Sequence, residues 1–198
     1  MAAKLISIVG PPASGKTTLA EGLANELPAE MIREDYEGNP FLADSYTGPH
    51  ETRLPAQLWY LLSRVRQLAR ANWPAEGLFV SDYGFCQDRI YACARLAPDE
   101  MAAYDPVHDR FVREVHPPEL LIVLDAEPGT LLERIARRGR DFEKVMTENF
   151  LSAMRRAYNA VVASAPCPVL RIDCDVEDIR TRACRARLVE AIGRELSP

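Results

Sequence analysis

With 198 residues, 47% of them apolar and 27% charged, the chain has the make-up of a folded domain with a proper core, which excludes a disordered segment. A net charge of −5 without any Lys/Arg block argues against a nucleic-acid partner, and no run approaches the ~20 apolar residues of a membrane span. Five cysteines (Cys86, Cys93, Cys167, Cys174 and Cys184) without a C-x-x-C pair, and three scattered histidines, point to reduced structural thiols in a cytoplasmic protein, with neither a disulfide frame nor a zinc site.

The first aliphatic run, Lys4–Val9, predicts a buried parallel strand. It runs straight into GPPASGKT (Gly10–Thr17), a full match to G-x-x-x-x-G-K-[ST], and a helix is predicted over Lys16–Leu27. In this strand–loop–helix setting, loop N–H groups and the helix N-terminus surround a polyphosphate. Lys16 supplies a point charge, the Thr17 hydroxyl suits a Mg²⁺ shell, and the glycines allow close backbone approach. Gly10, Pro11, Pro12, Ala13, Ser14, Gly15, Lys16, Thr17 and Thr18 are therefore the candidate residues for binding a nucleoside triphosphate.

Ala29–Glu34 is a weaker strand pattern, and the acidic stretch REDYEGNPF (Arg33–Phe41) follows it. Its DYEG (Asp35–Gly38) spells the D-x-x-G of GTPases. No Asn-Lys-x-Asp follows to read guanine and no long apolar strand precedes it, so the match is coincidental. A helix over Arg53–Asn72 buries Leu54, Leu58, Leu61, Val65 and Leu68, and sets Gln57 and Arg64 along one edge of that stripe. The strands Gly77–Asp82 and Glu119–Asp125 both end in aspartate, where ligands of open α/β sheets bind.

Helices are predicted over Cys86–Leu96 and Asp99–Val115, the second broken or kinked at Pro106. A helix over Gly129–Arg138 leads into LLERIARRGRDFE (Leu131–Glu143). There Arg134 and Arg138 share a face, Gly139 suits a helix C-terminus, and Arg140 projects from the turn. Beside a phosphate loop, such arginines stabilise the charge on a moving phosphoryl group and exclude water, so residues 134–143 form a lid. A helix over Phe142–Ala165, a strand over Cys167–Asp173 and a helix over Glu177–Leu196 complete the chain. The alternation predicts an α/β P-loop NTPase fold, adenylate-kinase-like, as a single domain over residues 1–198. Its parallel five-stranded sheet would carry helices on both faces and an arginine-rich lid.

In order, GPPASGKTT, EDYEGNP, LPAQLWYLLSR, VSDYGFCQDRIYA, LLERIARRGRDFE and YNAVVASAPCPVLRID resemble the deoxynucleoside kinases over nearly the whole chain. The lid string and the Gln57–Arg64 helix are the most specific parts. The resemblance implies ATP- and Mg²⁺-dependent phosphorylation of a deoxyribonucleoside 5′-hydroxyl, with a lean to purines and a homodimer built through helices. It implies Glu34 as general base, Gln57 on the nucleobase edge, Arg64 and Asp88 as further base-side contacts, and Tyr46 and Glu143 on the sugar 3′-hydroxyl. Arg134, Arg138 and Arg140 match the lid arginines, and Asp82 would join Thr17 at Mg²⁺; Asp125 is read as structural or as a support behind the site.

Many relatives carry Arg-Ser where this chain has Tyr83-Gly84. Tyr83 is expected to pack against the acceptor while the lid arginines carry the charge, with Arg89 a further candidate replacement. Two other functions compete. A monophosphate kinase of thymidylate-kinase type would want extra cations on the acceptor side, where the Glu34–Arg64 segment offers only Arg53 and Arg64. A silent nucleotide-sensing module would have no need of Lys16, Thr17, Glu34 and the lid arginines together.

Overall fold

The computed structural model describes residues 2–196. Its centre is a sheet of five parallel strands: β1 (Lys4–Val9), β2 (Ala29–Ile32), β3 (Leu78–Ser81), β4 (Leu120–Asp125) and β5 (Val169–Asp173). Their spatial order is β2-β3-β1-β4-β5. The chain leaves β1 in one direction to build β2 and β3, then crosses to β4 and β5 on the other side. Ligands of such sheets bind at the carboxyl ends of the strands near that reversal.

Eight helices flank the sheet among the described residues: α1 (Lys16–Glu26), α2 (Leu42–Thr47), α3 (Arg53–Leu68), α4 (Gln87–Arg95), α5 (Pro98–Phe111), α6 (Pro128–Arg138), α7 (Glu148–Ala163) and α8 (Arg182–Leu196). The two-residue period of the strands divides the core. Ile6 and Ile8 pack with Leu19 and Leu23 of α1 and Leu188 and Ile192 of α8. On the opposite face Leu5 meets Leu61 and Leu68 of α3 and Tyr104 of α5, while Val9 meets Ile90 of α4 and Tyr158 of α7. Each such aliphatic side chain contributes about 1.5–3 kcal/mol on full burial. Five parallel strands flanked by helices are the architecture the sequence pattern implies.

Several boundaries move for tertiary reasons. α3 ends at Leu68, not Asn72, because Ala69 turns extended to bridge Val115. The Leu68 carbonyl then accepts from His116 N–H at 2.7 Å, and Arg70 N–H donates to the Glu114 carbonyl at 2.7 Å. Pro106 neither breaks nor ends α5. Both Pro106 and Ala102, whose carbonyl loses its helical donor, are exposed, so water can satisfy that oxygen. The predicted helix from Phe142 starts only at Glu148, where the Thr147 hydroxyl caps it by accepting from Phe150 N–H at 3.2 Å. A short 3₁₀ turn, Asp141–Glu143, precedes that cap. α8 likewise starts at Arg182, after a turn in which Thr181 Oγ1 donates to the Asp178 carbonyl at 2.9 Å.

Candidate active site

The phosphate loop curls over the carboxyl end of β1. Gly10 adopts φ 152°, and a Cβ there would drive into the Leu124 carbonyl oxygen, so the position has room for glycine alone. Ala13 and Gly15 are also left-handed, at φ 61° and 104°, which bends successive peptides into a concave anion nest at the start of α1. Lys16 Nζ donates to the carbonyls of Gly10 and Pro11 at 2.8 and 3.0 Å, holding the ammonium over the loop. Burial pushes its pKa down to about 8, against the opposing pull of Glu34 and Asp82; Arg138 and Arg64 lower it further.

Asp82, just past β3, ties this loop to the other half of the site. Its Oδ2 accepts from the Thr17 hydroxyl at 2.7 Å, and its Oδ1 accepts from the Glu34 N–H at 2.7 Å. Glu34 follows β2 and lines one cavity of ≈ 280 Å³ together with Lys16 and Thr17. Its Oε1 accepts from Arg64 Nη2 and from Gln87 Nε2, the latter at 2.7 Å. The other carboxylates of the Arg33–Phe41 stretch stay outside. Asp35 closes the turn to Gly38 N–H at 2.9 Å, and Glu37 accepts from Tyr36. Asn39 is buried and donates to the Ala56 carbonyl at 3.1 Å, which pins the segment to α3 on its way to α2 and Tyr46.

Gln57 and Arg64 do share a wall of the cavity, as their spacing on α3 suggests. Asp88 does not reach it: fully buried, it stands behind both and orients them. It accepts from Gln57 Nε2, from Arg64 Nη1 at 2.7 Å and from the Tyr104 hydroxyl at 2.9 Å. A second donation from Gln57 Nε2 goes to the Asp88 carbonyl at 3.0 Å. Burial alone would lower the pKa of Arg64, but Asp88 and Glu34 on either side raise it well above the usual guanidinium value.

The lid arginines line the same cavity. Arg138 forms a two-pronged pair with buried Glu143, its Nε donating to Oε2 at 2.9 Å. Arg140 lies 3.5 Å from Glu143 and stacks 4.0 Å over the ring of Tyr36. Arg134 donates to the Cys174 carbonyl at 2.8 Å. Tyr46 packs on Phe142, with ring centroids 5.6 Å apart, under the guanidinium of Arg95 at 3.8 Å.

Two expectations fail here. Tyr83 is fully buried behind Arg64, its hydroxyl donating to Gln67 Oε1 at 2.6 Å, and it touches no part of the cavity. Its side chain turns inward because the chain at Gly84 presses on β1, where a Cβ would lie 2.5 Å from Val9. Arg89 points away from the site, pairing with Asp105 and Asp109 at 3.3 and 3.5 Å. The cation that α4 does bring to the cavity is Arg95, which the sequence reading missed along with Tyr91 on the wall and with Gln87, which reaches Glu34 without lining the cavity. Positions 87, 91 and 95 recur every four residues, so one face of α4 held the signal. Asp125 is structural as read, accepting from Arg155 Nε at 2.7 Å.

No group of three or more His, Cys, Asp or Glu side chains able to hold a metal occurs among the described residues. The Thr17–Asp82 pair nonetheless fits Mg²⁺, since one hydroxyl and one carboxylate beside the phosphate loop are the oxygen donors that would hold such an ion.

A P-loop facing a carboxylate, with three arginines on the wall of the same cavity, is the make-up of a P-loop phosphotransferase. The sequence matches the deoxynucleoside kinase family over residues 6–196, and the chain belongs to that family. It is 30% identical over 184 residues to the deoxyguanosine kinase of Bacillus subtilis (strain 168), covering 89% of each chain. It is 31% identical over 175 residues to the deoxyadenosine kinase of Dictyostelium discoideum, covering 85% of this chain and 71% of that one. Among solved structures, the deoxyadenosine kinase from M. mycoides with bound dATP superposes with a TM-score of 0.82 at 20% identity, over 96% of this chain and 99% of that one. The protein is a kinase that phosphorylates deoxynucleosides in an ATP-dependent reaction.

Proposed function

We propose that the acceptor is a purine deoxynucleoside and that Glu34 takes the proton of its 5′-hydroxyl. The observation that carries this reading is the placement of Glu34: a carboxylate clamped by Arg64 and Gln87, on the wall of the cavity that also holds Lys16. The acceptor O–H proton passes to Glu34 as the oxygen bonds to the γ-phosphorus. The bond to the bridging oxygen breaks, and ADP leaves with its electron pair. Lys16 and the loop N–H groups hold the donor phosphates, while Arg134, Arg138 and Arg140 face the charge that spreads over the moving group. Thr17 and Asp82 would hold Mg²⁺, which supplies further neutralisation of phosphate charge.

The base edge would meet Gln57 and Arg64. Asp88 can only accept hydrogen bonds, so Gln57 turns its amide nitrogen inward and leaves Oε1 free of protein donors. The Gln57 acceptor on that wall suits a base that presents a donor on its edge, such as the amino group of adenine or the N1–H of guanine. Tyr46 and Glu143 would flank the sugar 3′-hydroxyl. The purine assignment is supported by the relatives named above, a deoxyguanosine and a deoxyadenosine kinase.

Labelled-phosphate transfer from ATP to the four deoxynucleosides and their monophosphates tests the proposal. Purine deoxynucleosides should be phosphorylated best and monophosphates hardly at all. A preference for thymidine or cytidine acceptors would overturn the base assignment, and a preference for thymidine monophosphate would restore the thymidylate-kinase reading. A cytoplasmic homodimer is the assembly the family resemblance supports; sedimentation at twice the 22.2 kDa chain mass would bear it out.

A further inference from the structure

We infer that Gln87 is the positioning residue for the general base, and that it decides which oxygen of Glu34 receives the proton. This rests on the reading of Glu34 as that base. Both side-chain donors that reach the Glu34 carboxylate land on one oxygen, Oε1: Arg64 Nη2, and Gln87 Nε2 at 2.7 Å. No protein donor among the described residues reaches Oε2. The backbone adds a third restraint, since the Glu34 N–H is held by Asp82 at 2.7 Å. One oxygen is thus clamped, and its lone pairs are taken. The other is left as the acceptor for a substrate hydroxyl on the cavity side.

Arg64 alone would not produce this arrangement, because it also serves Asp88 and contacts Glu34 through a single nitrogen. Gln87 enters from a different element, the first residue of α4, and closes off rotation of the carboxylate about its own bond. Gln87 is itself fixed. It is buried, and its Oε1 faces the Tyr158 hydroxyl of α7 at 3.4 Å. Because Glu34 can only accept and the Tyr158 hydroxyl donates, the amide has one orientation that satisfies both neighbours. Burial raises the Tyr158 pKa well above its ordinary value, so that donor persists across the working range. The line Tyr158–Gln87–Glu34 carries orientation from α7 to the reacting centre, and Gln87 does so without touching substrate.

Gln87→Met keeps the length of the side chain and removes the donor. In the full-length enzyme it should lower kcat by about tenfold, the effect of losing one hydrogen bond to a charged group, with KM for ATP and acceptor within about twofold. Tyr158→Phe should move kcat the same way by about two- to threefold, and it tests the line even if the first variant fails to fold. The decisive measurement is a double-mutant cycle with Glu34→Gln. Once the carboxylate is gone, Gln87→Met should cost nothing further in kcat. An undiminished loss in that background, or unchanged kcat in Gln87→Met and Tyr158→Phe, would overturn the inference. A Glu34→Gln enzyme with near-normal turnover would instead sink the reading of Glu34 as the base, so the two failures are distinguishable.

Discussion

The two halves of the active site are made of different material. The half proposed to hold the donor is backbone: a loop of consecutive residues, bent by Gly10, Ala13 and Gly15. The half proposed to hold the acceptor is a network of side chains drawn from the ends of β2 and β3 and from α3 and α4. A backbone site tolerates most side-chain changes as long as its turns survive. A side-chain network concentrates its function, and much stability, in a few buried charges.

That contrast predicts separable effects. The largest is Glu34→Gln, which should lower turnover by roughly 10²–10⁴-fold while leaving ATP affinity unchanged in a binding titration. Next comes Asp88→Ala. It leaves buried Arg64 with Glu34 as its remaining carboxylate and should cost about 3–5 kcal/mol in denaturant unfolding, with a raised acceptor KM. Asp82→Asn should break the separation, because Asp82 is the joint between the halves. KM for both substrates should rise by about tenfold in steady-state assays, the scale of a lost bond to a charged group.

The donor half has its own pH signature. Lys16 in the free enzyme has a pKa near 8, and bound phosphates raise it. ATP binding is therefore undiminished below pH 8 and weakens above it, by up to about tenfold per pH unit until the pKa of the bound state is reached. Calorimetric titrations from pH 7 to 9.5 would show the bend, and Lys16→Met should abolish it. The smallest effect is expected from Arg95→Leu. Loss of its stacking on Tyr46 should raise acceptor KM about two- to fivefold and leave KM for ATP alone.

Legibility in the sequence follows the same division. GPPASGKT could be read outright because its function depends on neighbouring peptides in one turn. The edge shared by Gln57 and Arg64 was visible because helical spacing is a local property. The resemblance puts Asp88 at the base, yet the fold turns it inward to accept from Gln57, Arg64 and Tyr104. Nothing in its own segment distinguishes a carboxylate that meets the ligand from one that meets an arginine behind it. Tyr83 misled for a similar reason. Its neighbour Gly84 presses against β1, a contact between residues far apart in the chain. Pro106 does not break α5, because the cost of a proline depends on whether the freed carbonyl faces water.

By itself, the sequence determined the strand–helix alternation and, through resemblance, the family, and it carried the phosphate-loop motif and the arginines at 134, 138 and 140 that the fold brings to one cavity. Periodicity, turn chemistry and short motifs act over a few residues and are written there directly. Only the tertiary structure decided which side of α4 faced the site. It brought Arg95 and Gln87 of α4 to residues 50 and 53 positions away, and left one oxygen of Glu34 clamped and the other open. Those outcomes depend on packing between distant elements, where a hydrogen bond forms only once the sheet and helices have set the distance.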